Sequence, residues 1–355
     1  MTLSLRSALL AATAAAMTLA PMTGPAFAAE KVLRFAHDSK PDLYDNPNHA
    51  CATVFANIVN TDTNGEIKVE LYPGGQIGTI TEAVQMVRDG VVEMTNASTG
   101  SLAPYYKNID VLNLPFAFAS AAATDAVFDG PFGKALAADI EEKLGDVVVL
   151  GYPDTGGLFA ITNSKKEIAT LEDMKGVRLR TMTLPSHQAI MNALGMEAYP
   201  LAFSEVYSGL QTGVIDGQMN PIPIIVTAKL DEVQKFMTLT NHLYSPFTLI
   251  VNKAFYDDLT DTQKDIMHYA AQSCVDASRG LSRIIEASDR GISGMEGRIT
   301  ITALSPEDRA KMREVTGAAF DKHISETLGE DAKALVELLK TESAKSNGTR
   351  YLVGE

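Results

Sequence analysis

Two arginines separated by one residue lie where the chain could hold an anion. The segment Val177 to Arg180 alternates apolar and charged residues, and side chains two apart on a β-strand point to the same face. Arg180 stands at the carboxyl end of this predicted strand, where open α/β sheets form their ligand crevice. A planar guanidinium there can hold a carboxylate or a sulfonate through two hydrogen bonds. The alternative is a surface ion pair, which we favour for Arg178.

Motifs for catalysis are absent from the sequence. There is no G-x-S-x-G, H-E-x-x-H, G-x-G-x-x-G or G-x-x-x-x-G-K-[ST] segment, and these are the patterns that common hydrolytic, metal and nucleotide sites require. The 6 histidines are scattered without metal-ligand spacing. The segment Gly130 to Lys134 has the wrong spacing for a phosphate loop and is better interpreted as the start of a helix. We therefore expect neither an enzyme nor a cofactor or metal site.

Composition narrows the class of protein further. The formal net charge of -14 is opposite to the balance expected of a nucleic-acid-binding protein. No tryptophan is present, which excludes a ligand site walled by indole rings. Cys51 and Cys274 are the only cysteines. An exported protein could pair them, but their separation along the chain is large, so we favour two buried free thiols.

Residues 1–28 are typical of a secretory signal peptide. Arg6 precedes an apolar run from Ala8 to Ala20, and Ala26-Phe27-Ala28 is a cleavage site of the A-x-A type. The run is shorter than the roughly 20 residues of an ordinary membrane span. We predict export to the periplasm with cleavage after Ala28, and a soluble mature chain. An uncleaved membrane anchor is the alternative.

Short strands alternate with helices over most of the chain. Ile67 to Leu71 is a predicted strand, Thr79 and Glu82 form a capping box that starts a helix, and Asp146 to Gly151 has the apolar run of a buried strand. This alternation predicts right-handed βαβ units in mostly parallel sheets.

The later part of the chain is predicted to be mainly helical. A helix over Phe203 to Thr212 and a strand over Val214 to Asp216 come first, and from Thr260 onward the pattern is almost wholly helical, with Ser305 capping one helix. The length left after the signal peptide exceeds the ~250–300 residues that one hydrophobic core usually serves. We therefore predict two α/β lobes. The predicted N-lobe comprises residues 29–156 and 246–285, the C-lobe residues 157–245 and 286–343, and a frayed tail residues 344–355.

The segment from Leu171 to Asn220 carries motifs in a distinctive order. They are EDMKGVRLR (172–180), LG (194–195), FSEVY (203–207) and LQTGVIDGQMNP (210–221), preceded by LYPGGQIG (71–78) and LPF (114–116) and followed by EVQKF (232–236) and TNH (240–242). Together they resemble the solute receptors of tripartite ATP-independent periplasmic (TRAP) transporters, the DctP-type family. The resemblance extends from about Leu33 to at least His323.

The resemblance implies a type II periplasmic-binding-protein fold, in which hinge strands join two α/β lobes and a long helix spans both. The lobes would close over a small organic acid and deliver it to the membrane permease subunits for uptake driven by an ion gradient. A periplasmic sensor that passes a signal to a membrane receptor would use the same fold and is the alternative function. We expect a monomer without a cofactor or a nucleic-acid partner.

The resemblance also assigns candidate ligand contacts. Similar receptors hold the ligand's acid group with the arginine that matches Arg180 and hydrogen-bond the ligand with the asparagine that matches Asn220. Phe203 matches a position that packs on the ligand, although it could instead be a helix-start staple, and Asn220 could be a turn residue. The other candidates are Asp38, Asn96, Ser98, Ser101, Phe159 and Glu205. Asp38 would accept a hydroxyl or an amine of the ligand, or else cap its own loop.

One departure from the family pattern bears on the ligand. Many members carry a second arginine just after the crossover between lobes, and the segment Gly157 to Asn163 contains none. A second acid group would then lack a partner, and a buried unpaired anion is costly. We therefore predict a short aliphatic carboxylate or sulfonate that is monoanionic or zwitterionic, rather than a dicarboxylate.

Overall fold

A computed structural model of the chain describes residues 31–348. The predicted signal peptide and residues 349–355 lie outside the described residues. The strands are β1 (Lys31–Ala36), β2 (Ile67–Tyr72), β3 (Met94–Ala97), β4 (Val147–Gly151), β5 (Phe159–Asn163), β6 (Arg178–Thr181), β7 (Glu197–Pro200), β8 (Gly217–Pro221), β9 (Phe236–Leu239), β10 (Thr248–Asn252) and β11 (Thr300–Ala303). The α-helices are α1 (Pro47–Asp62), α2 (Ile80–Arg88), α3 (Thr99–Leu102), α4 (Ala121–Asp129), α5 (Pro131–Leu144), α6 (Pro185–Ala193), α7 (Phe203–Gln211), α8 (Ile222–Thr227), α9 (Lys253–Asp257), α10 (Asp261–Ala287), α11 (Ile292–Met295), α12 (Pro306–Thr327) and α13 (Glu330–Asn347), and short 3₁₀ turns cover Lys107–Asn113, Glu172–Met174 and Leu230–Val233.

The strands form two sheets. The N-terminal sheet has the order β2-β1-β3-β10-β4, and the C-terminal sheet has the order β11-β9-β5-β8-β6-β7. β10 is antiparallel to both of its neighbours, and so is β5. β5 is the first strand after the chain leaves the N-terminal sheet, and β10 is the first after it returns. Each antiparallel strand therefore marks a crossing of the chain between the sheets.

One long helix, α10, contacts helices of both sheets. α10 has 27 residues, which corresponds to about 40 Å at a rise of about 1.5 Å per residue. It packs along α1 beside the N-terminal sheet and reaches α8, which follows β8 of the C-terminal sheet. No helix within residues 31–348 has both the length and the hydrophobicity that a membrane span requires.

The C-terminal helices differ from the sequence prediction. α12 packs on α6, but α13, which the sequence assigns to the C-lobe, packs on α4 and α5 beside the N-terminal sheet. α13 also continues to Asn347, into the predicted tail. The Asn347 side chain donates to the Ala117 carbonyl and accepts from the Ala119 amide, both at 2.8 Å. These bonds anchor the end of α13, so residues 344–347 are helical rather than frayed.

The two helix starts that were predicted from capping residues are correct. The Thr79 hydroxyl accepts from the Glu82 amide at 3.3 Å and the Glu82 carboxylate accepts from the Thr79 amide at 2.7 Å, so the predicted capping box is confirmed. The Ser305 cap is confirmed as well.

The predicted strand at Val214 begins later, at Gly217. β11 was missed because it is a short edge strand that pairs only with β9, so tertiary contact rather than its own pattern makes it a strand.

The expectation of two free thiols is wrong. Cys51 on α1 and Cys274 on α10 form a disulfide across 223 residues of sequence. Both cysteines are fully buried, as expected, but sequence separation is no guide to distance because α1 and α10 pack side by side. The disulfide therefore links α10 covalently to α1, which packs beside the N-terminal sheet.

Replacing both Cys51 and Cys274 with alanine should lower the free energy of unfolding by about 2–5 kcal/mol, since a crosslink that closes so long a loop restricts the unfolded chain most. Chemical denaturation checks this value. A reductant should destabilise the wild type and leave the double variant unchanged. Alkylation of two thiols in the unfolded, unreduced wild type would contradict the pairing.

Candidate ligand-binding site

A cavity of about 470 Å³ lies between the two sheets and is lined from both sides. The N-terminal side contributes mainly Asp38, Gly74, Gly75, Gly78, Thr79, Ile80, Thr81, Glu82, Ser98, Gly100 and Ser101. The C-terminal side contributes mainly Phe159, Arg180, Met182, Thr183, Leu201, Phe203, Asn220 and Ile224. The sequence candidates Asp38, Ser98, Ser101, Phe159, Arg180, Phe203 and Asn220 are thus brought together.

Arg180 on β6 is held in a fixed orientation. Its side chain is 3% exposed, and Nε and Nη2 both donate to the Leu201 carbonyl, at 3.1 and 2.9 Å. The face of the Phe203 ring lies 5.9 Å from the guanidinium carbon, which is within reach of a cation–π contact. Because a guanidinium has five N–H donors, most of its donor capacity remains available to an anion in the cavity.

Asp38 and Arg180 influence each other across the cavity. Burial raises the pKa of Asp38 to about 6, although the charge of Arg180 acts in the opposite direction. Burial lowers the pKa of Arg180 to about 10, and Asp38 and Glu205 partly offset this. Both shifts have the same cause, which is the loss of water around a charge. Burial removes the water that would otherwise stabilise the charge of Arg180. A bound anion would stabilise this charge instead.

Asn220 and Phe159 complete the wall around Arg180. Asn220 lies on β8 opposite Ala160 of β5, and its Nδ2 donates to Gln218 Oε1 at 2.6 Å. This bond orients the amide and leaves Oδ1 and one N–H for a ligand. Phe159, at the start of β5, is 2% exposed and provides an apolar surface.

Asn96, Glu205 and Arg178 do not line the cavity. The sequence offered the first two as ligand contacts and favoured an ion pair for Arg178. Asn96 Nδ2 donates to Asn48 Oδ1 at 2.6 Å on the α1 side of the sheet. Glu205 is exposed and accepts from the Ala202 amide at 3.1 Å at the start of α7. Arg178 forms the favoured ion pair, with 2.6 Å between its Nη2 and Asp216 Oδ1. We therefore leave Asn96 and Glu205 out of the site that we propose below.

Several residues that line the cavity were not predicted from the sequence to contact a ligand. The loop of Gly74, Gly75 and Gly78 lines the cavity with positive φ angles of 64°, 71° and 124°, and its LYPGGQIG motif was the signal that could have located it. Met182 and Thr183 carry no motif of their own. Their position just beyond the end of β6, the strand that carries Arg180, was the available signal, because open α/β sheets form their ligand crevice at the carboxyl ends of the strands. Among the described residues, no group of three His, Cys, Asp or Glu side chains could hold a metal ion.

Comparison with known proteins agrees with this geometry. The sequence profile of "Bacterial extracellular solute-binding protein, family 7", named DctP, matches residues 41–327. The chain belongs to the DctP family. The predicted resemblance to TRAP solute receptors is thereby confirmed, and the members of this family are solute-binding proteins.

Individual relatives share both sequence and fold with this DctP-family receptor. The C4-dicarboxylate-binding periplasmic protein DctP of Rhodobacter capsulatus is 32% identical over 338 residues, which is 94% of this chain and 98% of that protein. The sugar acid binding protein DctPAm of Advenella mimigardefordensis, solved with galactonate, superposes with a TM-score of 0.81 at 29% identity and covers 88% of this chain and 99% of its own. A TRAP periplasmic solute-binding protein of Sulfitobacter sp. NAS-14.1 with bound β-D-galacturonate gives a TM-score of 0.80 at 29% identity, covering 88% and 100% of the two chains.

These similarities confirm the predicted type II fold of two α/β lobes. The names of these relatives refer to different acids: a C4-dicarboxylate, galactonate and galacturonate. All are carboxylates, and they differ in size and in the number of acid groups. These relatives therefore bind organic acids that differ from one protein to the next.

Proposed function

We propose that this protein is the periplasmic receptor of a TRAP transporter and captures a small organic acid with a single acid group for delivery, as a monomer, to the membrane permease subunits. The observation that carries the proposal is the isolated, oriented guanidinium of Arg180 in a cavity enclosed by both sheets. Asn220, Phe203 and Phe159 surround the position of the acid group. A carboxylate or a sulfonate would accept from guanidinium donors that Leu201 does not use and from the Asn220 amide.

The charges of the cavity favour one acid group over two. Its charged lining residues within the described part of the chain are Arg180, Asp38 and Glu82, so the wall facing Arg180 already carries two carboxyl groups. The Thr79 amide lowers the pKa of Glu82 and keeps that carboxylate ionised. A second carboxylate on the ligand would approach like charge without a compensating cation, which is unfavourable at short range.

Asp38 supports a hydrogen-bond donor on the ligand. Its carboxylate can accept from a hydroxyl or from an ammonium group, and Ser98 and Ser101 lie on the same side of the cavity. A hydroxylated monocarboxylate or a zwitterion would therefore be paired at both ends. The small apolar surfaces of Phe159, Phe203 and Ile224 suit a short aliphatic chain between them.

A thermal-shift and calorimetric panel tests the proposal with lactate, erythronate, galactonate, alanine, taurine and succinate. We expect a monoacid or a zwitterion to bind, and saturation at 100 times its dissociation constant adds about 2.7 kcal/mol to stability. Asp38→Asn should improve succinate binding about tenfold by removing a facing negative charge. Glu82→Gln is the matched control, since it removes an equal charge from an exposed position and should change succinate affinity less.

The pH dependence separates the two ligand types. Because the pKa of Asp38 is raised to about 6, acidification from about pH 7.5 to about pH 5 neutralises it. A zwitterion should then bind more weakly and a hydroxy acid more tightly. Tight binding of succinate by the wild type, with no response to any monoacid or zwitterion, would overturn the proposed ligand class.

A further inference from the structure

One wall of the cavity is a direct contact between the two lobes. α3 follows β3 of the N-terminal sheet, and the segment Met182–Thr183 follows β6 of the C-terminal sheet. The Thr183 hydroxyl donates to the Gly100 carbonyl at 3.2 Å, and the Thr99 hydroxyl lies 3.6 Å from Met182 Sδ. Gly100, Met182 and Thr183 all line the cavity.

Gly100 approaches Met182 so closely that a side chain at position 100 would displace its neighbour. A Cβ atom placed on Gly100 would lie 3.0 Å from Met182 Cβ, 3.4 Å from its Sδ and 3.5 Å from its Cγ. The three nearest atoms thus all belong to one residue of the opposite lobe. A Cβ–Cβ separation of 3.0 Å cannot be relieved by rotating the methionine side chain, because Cβ is fixed to the backbone.

This contact is adjacent to the proposed anion position. Met182 lies just beyond the end of β6, two residues after Arg180, and both residues line the cavity, where Met182 is half-buried. The same contact therefore joins the two lobes and forms part of the cavity wall close to Arg180.

We propose that the packing of Gly100 against Met182 is a specificity determinant: it sets how far the lobes close, and Met182 limits the size of the acid that the closed cavity retains. This inference rests on the proposed function, since it concerns the same site. Gly100 allows full closure because it has no side chain, and Thr183 secures the closed position through its hydrogen bond. A side chain at Gly100 would stop the lobes before the cavity is sealed.

A crosslinking experiment tests the contact without knowledge of the ligand. In the variant Gly100→Cys with Met182→Cys the two Cβ atoms would start 3.0 Å apart. A small separation of the lobes then brings them to the Cβ–Cβ distance of a disulfide, about 3.5–4.5 Å, so the two cysteines can pair only when the lobes are nearly closed. We expect this variant to form an additional interlobe disulfide under mild oxidation, detected by mass spectrometry of non-reduced peptides. Gly280→Cys with Met182→Cys is the matched control, because Gly280 on α10 has no atom within 4 Å of an added Cβ, and it should not crosslink.

The acid panel separates failure of the inference from failure of the proposed function. Acids that bind should accelerate the crosslink of the Gly100→Cys and Met182→Cys variant. A crosslink that forms equally fast with every acid would leave the contact intact and contradict the acid-receptor function. The absence of any crosslink, with or without the acids, would overturn the inference.

Affinity measurements test the role of the contact in specificity. Gly100→Ala should weaken binding of erythronate and galactonate about tenfold and Gly100→Leu more strongly, whereas Gly317→Ala, in an open helical position, should not change it. Adding Met182→Gly to Gly100→Ala removes the clashing Cβ and should restore affinity, with a relative gain for galactonate, the larger acid. Unchanged affinity in Gly100→Ala, for an acid that the wild type binds, would overturn the inference.

Discussion

Arg180→Ala should abolish tight binding of organic acids while the protein still folds. Truncating one partner of a desolvated charge pair costs about 2–5 kcal/mol, which corresponds to a loss of about 30- to 5,000-fold in affinity. Stability should not fall with affinity, because the lowered pKa of Arg180 shows that its charge is already costly to bury in the unliganded protein. Calorimetry with the best acid of the panel measures the first effect, and thermal unfolding without ligand measures the second.

Neighbouring substitutions separate charge from geometry at this position. Arg180→Lys keeps the positive charge but loses the planar pair of donors, so its affinity should lie between those of the wild type and Arg180→Ala. Arg178→Ala removes a guanidinium that pairs with Asp216 outside the cavity. It should lower stability and leave affinity unchanged. Wild-type affinity in Arg180→Ala would remove this residue from the site.

The receptor should lose stability steeply as the pH falls below about 6.5. Burial lowers the pKa of His37, His187 and His242 to about 3. The unfolded chain takes up protons near the ordinary histidine pKa of about 6.5, whereas the folded chain does not until about pH 3. The unfolded state therefore binds more protons throughout this window, so stability is present above pH 6.5 and decreases on acidification.

The geometry of the histidines explains why they stay neutral. His37 Nδ1 accepts from the Ser39 amide at 3.2 Å, so it cannot also carry a proton. His187 Nδ1 and His242 Nε2 are buried without a hydrogen-bond partner among the described residues. Protonation would leave an N–H unsatisfied in each case, and burying an unpaired charge is costly.

The expected size of the acid effect is large. Each of these histidines should reduce the free energy of unfolding by roughly 2 kcal/mol between pH 7 and pH 5, against a total of about 5–15 kcal/mol for a typical protein. Protonation of Asp38 acts in the opposite direction, because its folded pKa is raised, but it involves a single proton. Chemical denaturation at a series of pH values measures the slope.

Single substitutions assign this slope to individual residues. His187→Gln and His242→Gln should each reduce the number of protons taken up on unfolding by about one. His268→Gln is the matched control, since His268 is exposed on α10, and it should leave the slope as it is. A slope that neither His187→Gln nor His242→Gln changes would show that other groups control the acid sensitivity.

The sequence alone predicted most of the elements and the candidate anion-binding residue. Strand alternation, the Thr79–Glu82 capping box and the Ser305 cap act between residues a few positions apart, so they can be recognised from the chain. Arg180 was identified by its place at the end of a strand and by its motif. The absence of a second arginine after the crossover was likewise evident from the sequence, and it supports the single-acid ligand now proposed.

Only the tertiary structure decided which distant residues meet. Asp38 faces Arg180 across the cavity, Asn96 turns toward α1, Cys51 pairs with Cys274, and Gly100 packs against Met182. None of these relations follows from local patterns, because each depends on how the sheets and helices are placed relative to one another. Periodicity and capping report interactions within one turn or strand, whereas the shape and charge balance of a cleft between lobes arise from packing of elements up to hundreds of residues apart.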